Sequence, residues 1–275
     1  MRRILSALVL IPLVLYPILF GPAYLLVILL LLATALGLWE AFRLVRAILA
    51  PGAGFPLMEA VGYPFGLVLA LGLSVVELPV SDPRLIIAVV ASSIALAVIS
   101  VVAFTQGREV RWFTAGPAAF IAVLYIAVPL GLLVWVCRQT DGTFHLLFAL
   151  IVIWAGDTAG YYVGKNFGKH KSSPRISPNK SWEGTVASFA AALLVGAIAS
   201  LYFWGGDGYA EPIALAAFLN VAGQFGDLAE SGLKRRAGVK DSSHLIPGHG
   251  GVLDRIDALL FAAPVLWYYW LWKTS

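Results

Sequence analysis

One cysteine, two methionines and four histidines are all the soft or imidazole ligands in this 275-residue chain. With Cys137 alone, no intramolecular disulfide and no cysteine-based metal site can be built. Cys137 ends an apolar run and reads as a small hydrophobe. His244 and His249 stand five residues apart across a proline, a spacing that does not suit zinc. Charge is scarce too: 12% of residues are charged against 60% hydrophobic, with a mean hydropathy of +0.87. A soluble domain of this length has no core large enough to hide so much apolar surface, so the chain belongs in lipid. It also lacks internal repeats, low-complexity tracts and any strand–helix alternation.

What fills the chain instead is apolar runs. Crossing about 30 Å of hydrocarbon takes roughly 17 to 25 residues. Nine stretches qualify, near 4–20, 23–42, 60–77, 84–105, 116–136, 144–164, 184–204, 211–230 and 254–272. The expected fold is all-α, a polytopic transmembrane helical protein forming one membrane domain, 1–275. Arg2 and Arg3 before the first run resemble a signal peptide, but no small-residue cleavage site follows and a second run starts almost at once.

Nine spans put the termini on opposite sides. Sixteen basic residues then fall on the N-terminal side, leaving only Arg84, Arg138 and Lys273 on the other. Because positive charge stays in the cytoplasm during insertion, the connections 165–183 and 231–253 are expected to face the cytoplasm, from the cell inner or plasma membrane. The net charge of +4 and pI near 9.2 do not point to nucleic acid, since the basic residues are scattered and no nucleic-acid-binding fold is present. Topology and anionic headgroups account for them.

Residues 1–150 read as an apolar scaffold, and 151–275 as the half that carries chemistry. Asp157, in Gly156-Asp157-Thr158, lies inside the sixth apolar run, where a carboxylate normally faces a cavity, a partner charge or a metal. The stretch 165–184 supplies Lys165, Lys169, Lys171, Ser177, Asn179 and Lys180 around prolines 174 and 178. Such donors suit phosphate, although cytoplasmic lysines also simply anchor helices. Asp227, Glu230, Ser231 and Lys234 recur at i, i+3, i+4 and i+7 and share a helix face. The glycines at 248, 250 and 251 then permit close backbone approach to a ligand. They lead into Asp254 and Asp257, a second acidic pair at the start of a membrane helix. Carboxylates beside phosphate oxygens are what Mg²⁺ prefers.

Ser231, Lys234, Arg235, Lys240, Asp241, Pro247, His249, Gly250, Gly251, Asp254, Arg255 and Asp257 satisfy the pattern S-x-x-K-R-x4-K-D, spacer, P-x-H-G-G, apolar, D-R-x-D. This resembles the signature of the phosphatidate cytidylyltransferase (CDP-diacylglycerol synthase) family. The stretches G-D-T at 156–158 and F-G-K…I-S-P-x-K-S-W-E-G at 167–184 resemble that family as well. Departures are small: Ala258 stands where Ser is frequent, and Ser172 where a larger apolar residue is frequent.

The resemblance implies a homodimeric, Mg²⁺-dependent membrane enzyme, assisted by a second cation such as K⁺, with a polar cavity open to the cytoplasm. The expected reaction joins CTP and phosphatidic acid into CDP-diacylglycerol and pyrophosphate. Asp227 and Asp254 are the leading metal ligands, with Asp157 and Asp257 next. Lys234, Arg235, Lys240 and Arg255 would hold phosphates, joined by Ser177, Asn179 and Lys180 from the upstream loop. Ser231 and Asp241 complete the substrate contacts, and His249 either bonds a phosphate or braces its loop. Rival classes fit less well. A transporter built of inverted repeats should show similarly broken helices in both halves. A CDP-alcohol phosphotransferase needs a D-G-x2-A-R run, whereas Asp141-Gly142 is followed by Thr143 and Phe144. A soluble nucleotidylyltransferase needs a Rossmann domain.

Overall fold

The computed structural model describes residues 2–49, 56–75, 115–202, 204 and 210–274. Eight helices account for nearly all of them: α1 (Arg2–Leu19), α2 (Ala23–Leu49), α3 (Pro56–Val75), α4 (Ala115–Cys137), α5 (Gly142–Phe167), α6 (Trp182–Tyr202), α7 (Ala210–Arg236) and α8 (Leu253–Thr274). Strands β1 (Lys171–Ser173) and β2 (Ser177–Ser181) form an antiparallel hairpin between α5 and α6.

Among the described residues five helices, α2, α4, α5, α6 and α7, are long and apolar enough to cross a membrane, and the protein is membrane-embedded. They coincide with five of the nine expected spans. The runs 4–20 and 60–77 overlap helices α1 and α3. The last run is helix α8, kept out of the five by Asp254, Arg255 and Asp257 in its first turns and by its many Trp and Tyr residues. The stretch 84–105, with Arg84, lies outside the described residues.

Helix α4 is the hub. It packs on α2, α3, α5 and α8, and 83% of its apolar window is buried within the protein, against 33–44% for the other four. That is why α4 is apolar on all sides. Outward-facing Leu8, Ile28, Val68 and Phe218 are exposed, as side chains that contact acyl chains should be. Cys137 is buried at the end of α4, as a small hydrophobe.

Helices α5 and α6 approach closely because glycines recur every fourth residue along α5, at 156, 160 and 164, and again at 168 just past its end. A methyl group placed on Gly184 of α6 would sit 2.7 Å from the Gly160 carbonyl oxygen, and one on Gly160 would sit 3.3 Å from that of Gly184. Deeper along this seam, Asn220 of α7 donates to Ser188 Oγ of α6 at 2.9 Å, and Gln224 Nε2 donates to Asn220 Oδ1 at 2.6 Å. These bonds satisfy polar groups that lipid cannot. The α5–α6–α7 layer thereby fixes the spacing of Asp157, the hairpin and Asp227.

Candidate active site

At one end of the bundle the C-terminus of α7, the N-terminus of α8 and the hairpin converge, and each is held there by a specific contact. Helix α7 stops at a glycine cap: Gly238 has φ +74°, with its N–H donating to Arg235 O and Val239 N–H to Lys234 O. The hairpin is pinned to α7 twice. Lys180 Nζ pairs with Asp227 Oδ2 at 2.7 Å, and Arg235 Nε donates to Ile176 O at 3.3 Å. At the hairpin's base Glu183 accepts from the His170 N–H and pairs with its exposed ring at 2.7 Å.

The glycine loop folds on itself through an Ile246–Gly250 bridge and a turn in which His249 N–H donates to Ile246 O at 2.9 Å. Gly248 and Gly250 have φ of +78° and +83°, a region open to glycine and strained for other residues. A methyl group on Gly250 would run into Asp254 Oδ2 and lie 3.5 Å from Asp241 Cβ.

The carboxylates fall into two sets. Asp254 is enclosed: Oδ2 accepts from Ser242 N–H at 3.0 Å, Ser242 Oγ at 2.9 Å and Gly251 N–H at 2.7 Å, while Oδ1 accepts from Lys234 Nζ at 2.6 Å. Lys234 also pairs with Glu230 Oε2 at 2.5 Å, so one ammonium bridges two buried carboxylates. Asp157, Asp227 and Asp257, from α5, α7 and α8, form the open set. They lie close enough to repel one another. Lys180 and Arg255 oppose the charge of Asp157, and Lys234 that of Asp257. Ser231 Oγ donates to Asp227 Oδ1 at 3.2 Å, and Asp257 Oδ1 accepts only from the neighbouring Ala258 N–H among the described bonds. Among the described residues no three acidic, histidine or cysteine side chains close around a common point as a ready-made metal cage.

The sequence-predicted residues are therefore gathered at one place, in different degrees. Asp157, Lys180, Asp227, Ser231, Lys234, Asp254, Arg255 and Asp257 belong to one connected cluster. Arg235 bonds to the backbone at Ile176 and, at 3.3 Å, to Val239 O. Ser177 and Asn179 stand on β2, and Lys240, Asp241 and His249 on the adjoining loop. What the sequence reading left out is Glu40. It enters from α2, in the half assigned to scaffold, is fully buried, and accepts four hydrogen bonds from Ser242, Ser243, Val252 and Leu253. The signal was available: a carboxylate near the end of an apolar membrane run.

This arrangement, three neighbouring carboxylates with Lys180, Lys234 and Arg255 beside them, suits polyanionic substrates that need both charge neutralisation and metal-compatible oxygens. A model of the cytidylyltransferase family matches residues 1–272. The phosphatidate cytidylyltransferase of Staphylococcus aureus (strain COL) is 37% identical over 209 residues, covering 73% of this chain and 77% of the relative. That of Staphylococcus saprophyticus is 36% identical over 207 residues with the same coverage, and that of Bacillus subtilis (strain 168) 41% over 160 residues, covering 57% and 59%. With nearly its whole length matched, the chain belongs to the cytidylyltransferase family.

Proposed function

We propose that this protein is a phosphatidate cytidylyltransferase, transferring CMP from CTP to phosphatidic acid in phospholipid synthesis. The observation that carries the reading is the convergence of the hairpin, the α7 C-terminus and the α8 N-terminus around Asp157, Asp227 and Asp257, beside relatives that bear this name. A phosphate oxygen of phosphatidic acid attacks the α-phosphorus of CTP in line. The new P–O–P bond forms as the α–β anhydride bond breaks, and pyrophosphate leaves with the bonding electrons. A phosphate monoester is already anionic near neutral pH, so the protein has mainly to position two anions and offset their charge.

Lys180 and Arg255 flank the open carboxylates and are placed to take phosphate oxygens, with Ser177 and Asn179 contributing from β2 and Lys240 and His249 from the loop. Lys234 serves differently, being committed to Glu230 and Asp254 and fixing the α7–α8 junction. Asp254, saturated by backbone and hydroxyl donors, organises the glycine loop. The donor set of Asp227 and Asp257, with Asp157 alongside, fits Mg²⁺, which is usually held by one or two carboxylates plus substrate phosphates. When bound, the ion supplies charge neutralisation at the transferred phosphoryl group. A second cation such as K⁺ and a homodimeric state belong to the same reading. The site faces the cytoplasm, where CTP is found and where the chain's basic connections are retained.

The test is incorporation of radiolabelled CTP into chloroform-extractable lipid by the purified protein, with and without phosphatidic acid and Mg²⁺. Wild type is expected to label lipid only with both present, and folded Asp227→Asn and Asp257→Asn variants are expected to lose at least about a hundredfold in rate. Absence of labelled lipid under every condition refutes the assignment.

A further inference from the structure

Glu40 is the most thoroughly bonded side chain of α2, and every one of its partners lies in the segment that shapes the site. Ser242 Oγ donates to Oε2 at 3.0 Å and Ser243 Oγ to Oε1 at 2.5 Å; Val252 N–H reaches Oε1 at 2.9 Å and Leu253 N–H reaches Oε2 at 2.6 Å. The carboxylate is 0% exposed, and no Lys, Arg or His ion pair to it occurs among the described residues. Among the described residues its charge is met by these hydrogen-bond donors alone.

One of those donors is the first N–H group of α8, which begins at Leu253, and another is the N–H of Val252 just before it. A helix normally finds its N-terminal acceptor on a neighbouring residue of its own chain segment. Here the acceptor is a carboxylate from a different helix more than 200 residues away, and it also meets the positive end of the α8 dipole. Its two other bonds grip the start of the glycine loop. Ser242 Oγ stands between Glu40 Oε2 and Asp254 Oδ2, at 3.0 and 2.9 Å, its one hydroxyl proton shared between the two carboxylates, so the grip reaches Asp254 directly. Gly251 is tied into the same knot, because a methyl group there would collide with Ser242 Oγ and Glu40 Oε1.

We propose that Glu40 is a positioning residue for the transfer: it holds both ends of the 242–253 segment on α2 and so sets where Asp254, Arg255 and Asp257 stand. The proposal rests on the cytidylyltransferase reading for its kinetic consequence, while its structural consequence is independent of it. The first two turns of α8 carry those three residues, and an error of about 1 Å in such a group costs on the order of a hundredfold in rate. Helix α2 is therefore a working part of the site.

Glu40→Gln keeps the shape of the side chain but turns an N–H₂ group towards donors. In detergent-solubilised full-length protein, hydrogen exchange across 242–253 is expected to accelerate at least about tenfold once these amides lose their acceptor. Exchange in α5 and α6 should be unchanged. In the lipid-labelling assay kcat per folded molecule should fall at least about tenfold, with KM for CTP and phosphatidic acid within about threefold. Thr34→Val, an apolar replacement at a buried position of the same helix, should leave exchange and kinetics as in wild type. Ser243→Ala removes one donor and keeps the charge; it gives the same pattern at smaller size and decides the matter if Glu40→Gln does not fold. An unchanged exchange rate at 242–253, or activity lost only in proportion to folded protein, overturns the proposal. If wild type labels no lipid, the cytidylyltransferase reading fails, and the exchange experiment still decides whether Glu40 anchors the segment.

Discussion

Replacing Lys234 by Met asks whether charge or packing holds α7 to α8 at the site. The ammonium lies 2.5 Å from Glu230 and 2.6 Å from Asp254, whose side chains are 0% and 5% exposed, and is itself only 12% exposed. Methionine preserves most of the apolar stem and removes the cation, so two buried carboxylates are left facing each other. Removing one partner of a buried pair costs about 3–5 kcal/mol. Proton uptake by one carboxyl limits the penalty, so the same range, about 3–5 kcal/mol, is expected for the triad. A surface pair would give about 0–1 kcal/mol, and the two magnitudes are readily told apart. The double variant Glu230→Gln/Lys234→Met removes one carboxylate with the cation and leaves Asp254 its three donors from Ser242 and Gly251. It is expected to recover at least about 2 kcal/mol. Unfolding by SDS titration in mixed micelles, followed by tryptophan fluorescence, measures both. A Lys234→Met loss below about 1 kcal/mol, or a double variant no more stable than the single one, refutes the reasoning.

Two further outcomes separate function from stability. Lys180→Ala breaks a pair whose members are 24% and 39% exposed, so the unfolding midpoint should barely move, a change of about 0–1 kcal/mol, while lipid labelling falls at least about tenfold. Gly250→Ala and Gly238→Ala impose the same left-handed strain of about 1–2 kcal/mol per residue, but only Gly250 faces Asp254, whereas Gly238 faces open space. Activity per folded molecule should drop in the first and persist in the second; equal activity in both would separate the glycine loop from catalysis.

Much of this was legible in the sequence because the constraints were local. Apolar length placed the five long spans, and the i, i+3, i+4, i+7 spacing put Asp227, Glu230, Ser231 and Lys234 on one face of α7, where Lys180 and Asp254 meet it. The hairpin was legible only as a structured loop. Ser177-Pro178-Asn179-Lys180-Ser181 has no hydrophobic alternation, and its pairing depends on tertiary contacts with α7. The division of labour among the carboxylates was not legible either. Asp227 and Asp254 look alike as residues in a row, and only the fold shows Asp254 enclosed by donors while Asp227 meets Lys180 and Ser231. Glu40 was passed over because its partners are two serines and two backbone amides far along the chain, groups that carry no charge to announce a pairing.

The length of α7 has a consequence for how a lipid is met. Its 27 residues extend about 40 Å, roughly 10 Å more than the hydrocarbon of a bilayer. The two turns in excess are those bearing Glu230, Ser231, Lys234 and Arg235. With the apolar part of the helix in the hydrocarbon, these turns would stand in the headgroup layer, at the depth where a phospholipid carries its phosphate. A substrate lipid can thus present its phosphate sideways, with both acyl chains still in their leaflet, and the enzyme need not lift it out of the membrane to act on it.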